Sequence, residues 1–355
     1  MNDTTVTNGM SVEPAEQTTA PQHRRGRDAY APWNIPLRGW KDVLLRVWEE
    51  SSRDNLALIA AGMAFYAMLS VAPALAVIIS VYGLVYSPQD LAGQLEIVSS
   101  YLPGDAQALI QNQLEELVST RDMNLGWGIA ASAAVSLWSS SKAMKSLFGG
   151  LNAVYEEEET RGWFWLALQS VGFTLAGLLV LILTIVSIGL LQPLLEYLTL
   201  DDSVALLVQV LSLVLVSTVV LIGLAILYRY GPSRRRAHWR WVSVGALVAW
   251  ATWILVSSGF SWYVTHFDSY QKTYGALGAV AVLLMWFYVS AYAVLIGAEL
   301  NAELEHQTEI DSTVGPELPL GERGAVMADE IGVVPSLRAR FKRRPTMTAP
   351  ESADL

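Results

Sequence analysis

The stretch YGALGAVAVLLMWFYVSAYAVLIGAELNAEL, residues 274–304, decides the fold. From Gly275 to Gly297 it is continuously apolar. A helix needs roughly 20 mainly apolar residues to cross about 30 Å of hydrocarbon, and this run supplies them. The run does not alternate in polarity, so it is no strand of a membrane β-barrel. Backbone amides find no partner in lipid, so the segment must be helical.

Five more runs of this kind lie upstream. They cover about 56–81, 125–147, 164–190, 204–228 and 241–264, and with 275–297 they predict six spans. The second is the least apolar, because Ser136, Ser139, Ser140, Ser141, Lys142 and Lys145 crowd its end. Charge distribution argues that it spans. Arg24, Arg25, Arg27, Arg38, Lys41, Arg46 and Arg53 precede the first run, whereas Arg121 alone is basic between the first two. Lys142, Lys145 and Arg161 follow the second run, and no Lys or Arg lies between the third and fourth. Arg229, Arg234, Arg235, Arg236 and Arg240 follow the fourth, and only Lys272 separates the fifth from the sixth. Basic residues thus fall on alternate connections, the pattern that places them in the cytoplasm. Omitting any one helix destroys the alternation. The reading is an all-α membrane protein with six transmembrane helices and both termini cytoplasmic.

Composition agrees. Of 355 residues, 53% are hydrophobic and 16% charged, against about 25% charged in an ordinary soluble domain. The chain has no cysteine, which excludes disulfides, thiolate nucleophiles and cysteine metal sites. The segments 1–34 and 307–355 are polar and read as disordered cytoplasmic tails around a membrane domain at 35–306. The first tail lacks the apolar core of a signal peptide, so the first span is expected to direct insertion.

Two segments are amphipathic. Trp40, Val43, Leu44, Val47 and Trp48 follow helical spacing, with Lys41, Asp42 and Arg46 on other faces. They suit a helix in the cytoplasmic interface or one packed on protein. Between the first two spans, Ser87–Asn124 repeats apolar residues on either side of Pro103 and predicts a helical outer cap.

Ionisable residues near the membrane are candidates for function. Lys142 and Lys145 share roughly one face of the second span, and Glu299 ends the sixth. They could form a polar pathway or lipid contact with Tyr66, Ser70 and Pro73 of the first span. Alternatively, a lysine pairs with Glu299 or extends to the interface. Pro73 should kink its helix. The arginines 229, 234, 235, 236 and 240 form a basic loop at the interface, suited to anionic headgroups. His266 and Asp268 are too few for a zinc site, and no other histidines have ligand spacing, so no metal or cofactor is expected.

Three blocks carry a resemblance. They are AAGMAFYAMLSVAPAL at 60–75, LYRYGPSRRRAHWRWVSVGAL at 227–247, and the 274–304 stretch with its Tyr-Gly-x-x-Gly-Ala start and Gly-Ala-Glu-x-Asn ending. In order and spacing they resemble the YihY family, also called the virulence factor BrkB family, over about 40–305. The resemblance implies six helices in the bacterial inner membrane and no settled activity. Members have carried the label ribonuclease BN. No nuclease is expected here, because no HxHxDH cluster or carboxylate constellation is present. The expected function is transport or handling of a lipid or small solute in envelope maintenance. The alternative is a non-catalytic scaffold acting through a second copy or an envelope protein. The expected partners are membrane lipids, with no nucleic acid.

Overall fold

The computed structural model describes residues 25–85, 125–197, 202–266 and 276–332. A 3-10 turn at Pro32–Asn34 precedes α1, Leu37–Arg53. Six long helices follow: α2 Leu56–Val85, α3 Leu125–Val154, α4 Trp163–Tyr197, α5 Asp202–Tyr230, α6 Trp239–His266 and α7 Ala276–Glu305. A short α8 spans Val326–Asp329. The only β pairing among the described residues is one antiparallel bridge, Ala237 with Thr313. The predicted outer cap at 87–124 lies outside the described residues, as do 267–275.

Four of these helices are long and apolar enough to cross a membrane over their described parts: Trp163–Leu181, Leu206–Tyr230, Trp239–Tyr263 and Val280–Glu305. The pair α1–α2, bent by 62°, would make a fifth span if counted together. The bend has a local cause. Asn55 adopts φ +55°, a left-handed conformation that Asn tolerates better than most residues. The Asp54 amide closes α1 on the Glu50 carbonyl, and the Asn55 carbonyl accepts from Leu58 and Ile59 to open α2. Glu156, at φ +52°, makes a similar turn after α3. Pro73 does not interrupt α2, which continues to Val85; its side chain lies outside the described residues.

Burial is concentrated at one end of the bundle. Ala60 and Met63 begin α2, Phe148, Leu151 and Val154 end α3, and Tyr228 ends α5. Trp241 and Val242 begin α6, and Leu295 through Leu304 end α7. All belong to one core cluster, save small interruptions, so these helix ends meet in a common base. Away from the base, α5 exposes Leu206, Leu207, Leu211, Leu213 and Leu215. Such a continuous apolar surface suits contact with lipid.

At the base α7 packs against α1, α2, α3 and α6. Its closest approach is to α6. A Cβ on Gly297 would lie 2.5 Å from the Gly245 carbonyl oxygen and 2.6 Å from both Ala249 Cβ and Tyr228 Oη. Small residues allow such contact where no water drives association. Polar side chains then join the helices. Asn301 accepts from the Gly245 amide at 2.7 Å and donates to the Val242 carbonyl at 3.2 Å. Tyr228 donates to the Val294 carbonyl at 2.8 Å, and Trp253 to Ser290 at 3.0 Å.

Over their described residues, the structure corrects the reading of the tails as disordered. Residues 25–34 and 307–332 are folded against the base. Thr308 donates to the Ala29 carbonyl at 2.8 Å, and the Glu309 amide to Arg27 at 2.8 Å. The His238 amide reaches the Ser312 carbonyl, and the Val314 amide reaches Arg236. Arg323 is buried, its guanidinium donating to the carbonyls of Leu318, Ala328 and Glu309. Low apolar content suggested disorder, but this segment is ordered by saturating its own polar groups.

Two measurements check this packing. Gly297→Ala is expected to destabilise the protein in detergent by about 1–3 kcal/mol through overpacking. Gly62→Ala, where a Cβ meets nothing within 4 Å, should be neutral or slightly stabilising. The second concerns acid. Burial works against the charge of Asp311, but hydrogen bonds from Thr313 and Leu318 outweigh it and hold the carboxyl below its ordinary range. A depressed carboxyl stabilises the fold above the ordinary aspartate range, and the gain is lost as pH falls through that range. The wild-type tail should therefore become protease-sensitive on acidification, and Asp311→Asn should show less of that acid dependence.

Candidate functional site

The base contains three glutamates from the end of α7, and each is almost fully buried. Glu303 receives the Arg46 guanidinium, which also donates to the Glu303 backbone carbonyl at 3.1 Å. Both side chains are at most 3% exposed. Arg46 and Asp42 are thus corrections to the sequence reading, which put them on faces away from the apolar stripe; both are buried. Asp42 pairs with Arg25. The outward face of α1 instead carries Leu37, Leu44 and Trp48, beside exposed Tyr30 and Trp33.

Glu305 accepts from Arg234 at 2.6 Å and from Ser312 at 2.7 Å. Burial opposes the charge on Arg234, but Glu305 more than offsets it and holds the guanidinium above its ordinary range. Arg234 also lies 4.3 Å from the Tyr155 ring centroid. Glu299 is fully buried, and neither of its oxygens has a hydrogen-bond partner.

Beside this network lies a cleft of about 880 Å³. It is framed by the α3–α4 connection, the start of α4, the α5–α6 connection and the segment around α8. The short connections after α3 and α5 bring their charges together because both helices end at the base. Arg161 donates to both oxygens of Glu159 and to Gln169. It thereby holds the Glu159 carboxyl below its ordinary range. Arg235 donates to the carbonyls of Val314 and Pro316, at 3.0 Å each. Glu157 accepts from the Val326 amide, and burial pushes its carboxyl up. Asp329 accepts the amides of Gly321, Arg323 and Gly324.

Two arginines of the cleft have no carboxylate partner among the described residues. The Arg229 guanidinium lies 4.4 Å from the Trp239 ring centroid, and its Nε and Nη1 are buried without hydrogen bonds. Arg236 is exposed and lies 4.8 Å from the Tyr230 ring. Burial, then Arg240 and Arg229, lowers the neighbouring His238 imidazole below its ordinary range. Trp165 and Leu168, both exposed, give the cleft an apolar lip on α4. Two uncommitted guanidiniums with aromatic faces and an apolar rim can hold a phosphate-bearing amphiphile.

The structure therefore gathers Arg229, Arg234, Arg235 and Arg236, whereas Arg240 lies outside the cleft lining. It does not gather the other candidates. Ser70 donates to the Tyr66 carbonyl of its own helix at 2.7 Å, and Tyr66 is exposed. Lys142 is exposed, and Lys145 lies 4.9 Å from the Trp138 ring centroid. No ion pair joins either lysine to Glu299 among the described residues, which also hold no group of three His, Asp or Glu fit for a metal ion. Arg161, Trp165, Tyr230 and Asp329 were missed by sequence. Only the first could have been found, as a basic residue on the same side as the arginine loop.

The family model for Virulence factor BrkB matches residues 47–318. The chain is 28% identical over 258 residues to a Bacillus subtilis protein named as ribonuclease-like, YfkH, covering 71% of this chain and 90% of that one. It is 30% identical over 254 residues to a UPF0761 membrane protein of Alteromonas mediterranea, covering 71% and 83%. A UPF0761 membrane protein of Pseudoalteromonas atlantica is 28% identical over 282 residues, covering 77% and 90%. No solved structure matches the chain. With a bundle of long apolar helices over most of the matched region, this integral membrane protein belongs to the Virulence factor BrkB family.

Proposed function

We propose that this protein is a six-span protein of the bacterial inner membrane that handles lipid, binding anionic headgroups in the arginine cleft. The observation that carries the reading is Arg229, a half-buried guanidinium whose Nε and Nη1 are enclosed without hydrogen bonds, set against the rings of Tyr230 and Trp239. Enclosed donors without a partner are costly, and an anionic ligand would remove that cost. The apolar lip at Trp165 and Leu168 suits the acyl part of such a ligand. Alternation of Lys and Arg supports placing both termini and the cleft in the cytoplasm. The exposed Trp33, Leu37, Leu44 and Trp48 support α1 lying in the headgroup region. The role is binding and movement of lipid and not covalent chemistry, with no cofactor and no nucleic acid.

A second reading, a non-catalytic scaffold for a second copy or an envelope protein, is favoured by the base, where the large side chains of Phe148, Tyr155, Tyr228 and Trp241 are fully buried.

Native mass spectrometry tests the first reading. Wild-type protein should retain anionic phospholipids through detergent exchange, and Arg229→Gln with Arg236→Gln should lose most of that retention. Added salt should weaken it, because the attraction is electrostatic. Equal retention by the double variant would reject the cleft as the site. Reconstituted protein that moves no tested lipid class between leaflets would leave the scaffold. Topology is testable separately, because the chain has no cysteine. A thiol introduced at Asp201 should react with an impermeant reagent in whole cells, and one at Glu317, exposed on the folded C-terminal segment, only after lysis.

A further inference from the structure

Glu299 lies on α7 one turn beyond Leu295. Leu295, Ile59 and Met63 all stand 3.0–3.2 Å from the place of a Cβ on Gly150, so α2, α3 and α7 share this layer. One helical turn closer to the base, the same helices bring Leu56, Val154 and Glu299, each fully buried. The next groups toward the base are the two tight junctions, at Asp54–Asn55 and at Glu156. Asp54 and Glu156 face Glu299 from these junctions, Glu50 from α1 and Glu303 from its own helix. Tyr155 is the other titratable neighbour. The nearby cations are engaged: Arg46 with Glu303, Arg53 with Glu50, and Arg234 with Glu305.

Glu299 is thus a fully enclosed carboxyl with no hydrogen-bond partner, and the cations near it are paired with other carboxylates. An ionised carboxylate there would be a buried charge without compensation, which costs several kcal/mol. A bound proton removes the charge. A metal ion would need more ligands than the single free carboxyl offers, and no group of three acids or histidines among the described residues is arranged to supply them.

We infer that Glu299 is a proton-binding site, loaded from water through the acidic junction formed by Asp54 and Glu156. The junction offers an entry. Glu156 is exposed and Asp54 partly so. Burial, then Glu50 and Glu156, raises the Asp54 carboxyl to about 6, so it can gain and lose a proton near neutral pH. A proton taken from water by Asp54 and passed to Glu299 leaves Asp54 ionised and Glu299 a neutral acid. The site lies apart from the arginine cleft and does not depend on lipid binding there.

The test uses full-length protein in phospholipid vesicles and dicyclohexylcarbodiimide, which modifies protonated carboxyls in apolar surroundings. Mass spectrometry should locate the adduct on Glu299, with modification declining as pH is raised and abolished in Glu299→Gln. Infrared spectra of the wild type should show a carboxylic-acid carbonyl band that Glu299→Gln loses. Absence of both adduct and band across the pH range overturns the inference. So does protection by sodium without pH dependence, which would assign the site to a metal cation. Should the variant fail to fold, the pH dependence of the wild-type adduct decides by itself.

Discussion

The last two turns of α7 place three carboxyl groups inside protein, and the base supplies a counter-charge to two of them, Glu303 and Glu305. Glu303 takes its counter-charge from α1 through Arg46, and Glu305 from the α5–α6 connection through Arg234. Each pair fixes one separate element against α7. Breaking such a buried pair from one side typically costs about 3–5 kcal/mol, because the remaining charge is stranded. The pairs are therefore better understood as constraints on arrangement than as net stabilisation. Gly332 closes over Arg46, where a Cβ would come within 2.8 Å of the guanidinium carbon. Ser312 supplies the second bond to Glu305. The folded tail exists where it does because these carboxylates need enclosing.

The same logic sorts the arginines. Arg46, Arg161, Arg234, Arg235 and Arg323 are tied to carboxylates or carbonyls and act as joints. Arg229 and Arg236 rest on aromatic faces. A guanidinium stacked on a ring keeps its in-plane donors available, so these two can meet a ligand without breaking the framework. The framework and the cleft share one loop, and Arg234 and Arg235 lock the segment that presents Arg236. Site geometry and base stability are coupled through that loop.

Much of the fold was legible because lipid imposes a simple rule on sequence. Runs such as those at 164–190 and 275–297 admit only helices, and α4 and α7 cover their described residues. Their ends were less legible. The second apolar run ends near residue 147, yet the helix continues to Val154, and Gly150 leaves the space into which Ile59, Met63 and Leu295 pack. The basic loop was legible as a charge cluster. Which arginines are free was not, since that depends on Glu305, Val314 and Pro316, some 70–80 residues away in sequence.

The sequence by itself determined the class of protein, the helices and the side of the bundle that gathers positive charge. Apolar length and the placement of Lys and Arg are local properties, and local properties survive in a linear string. Tertiary structure decided the rest. It turned Asp42 and Arg46 inward, folded a polar tail onto the base, separated Lys142 from Glu299, and left Glu299 without a partner. Each outcome depends on which charge meets which across helices, and no periodicity along one chain records that.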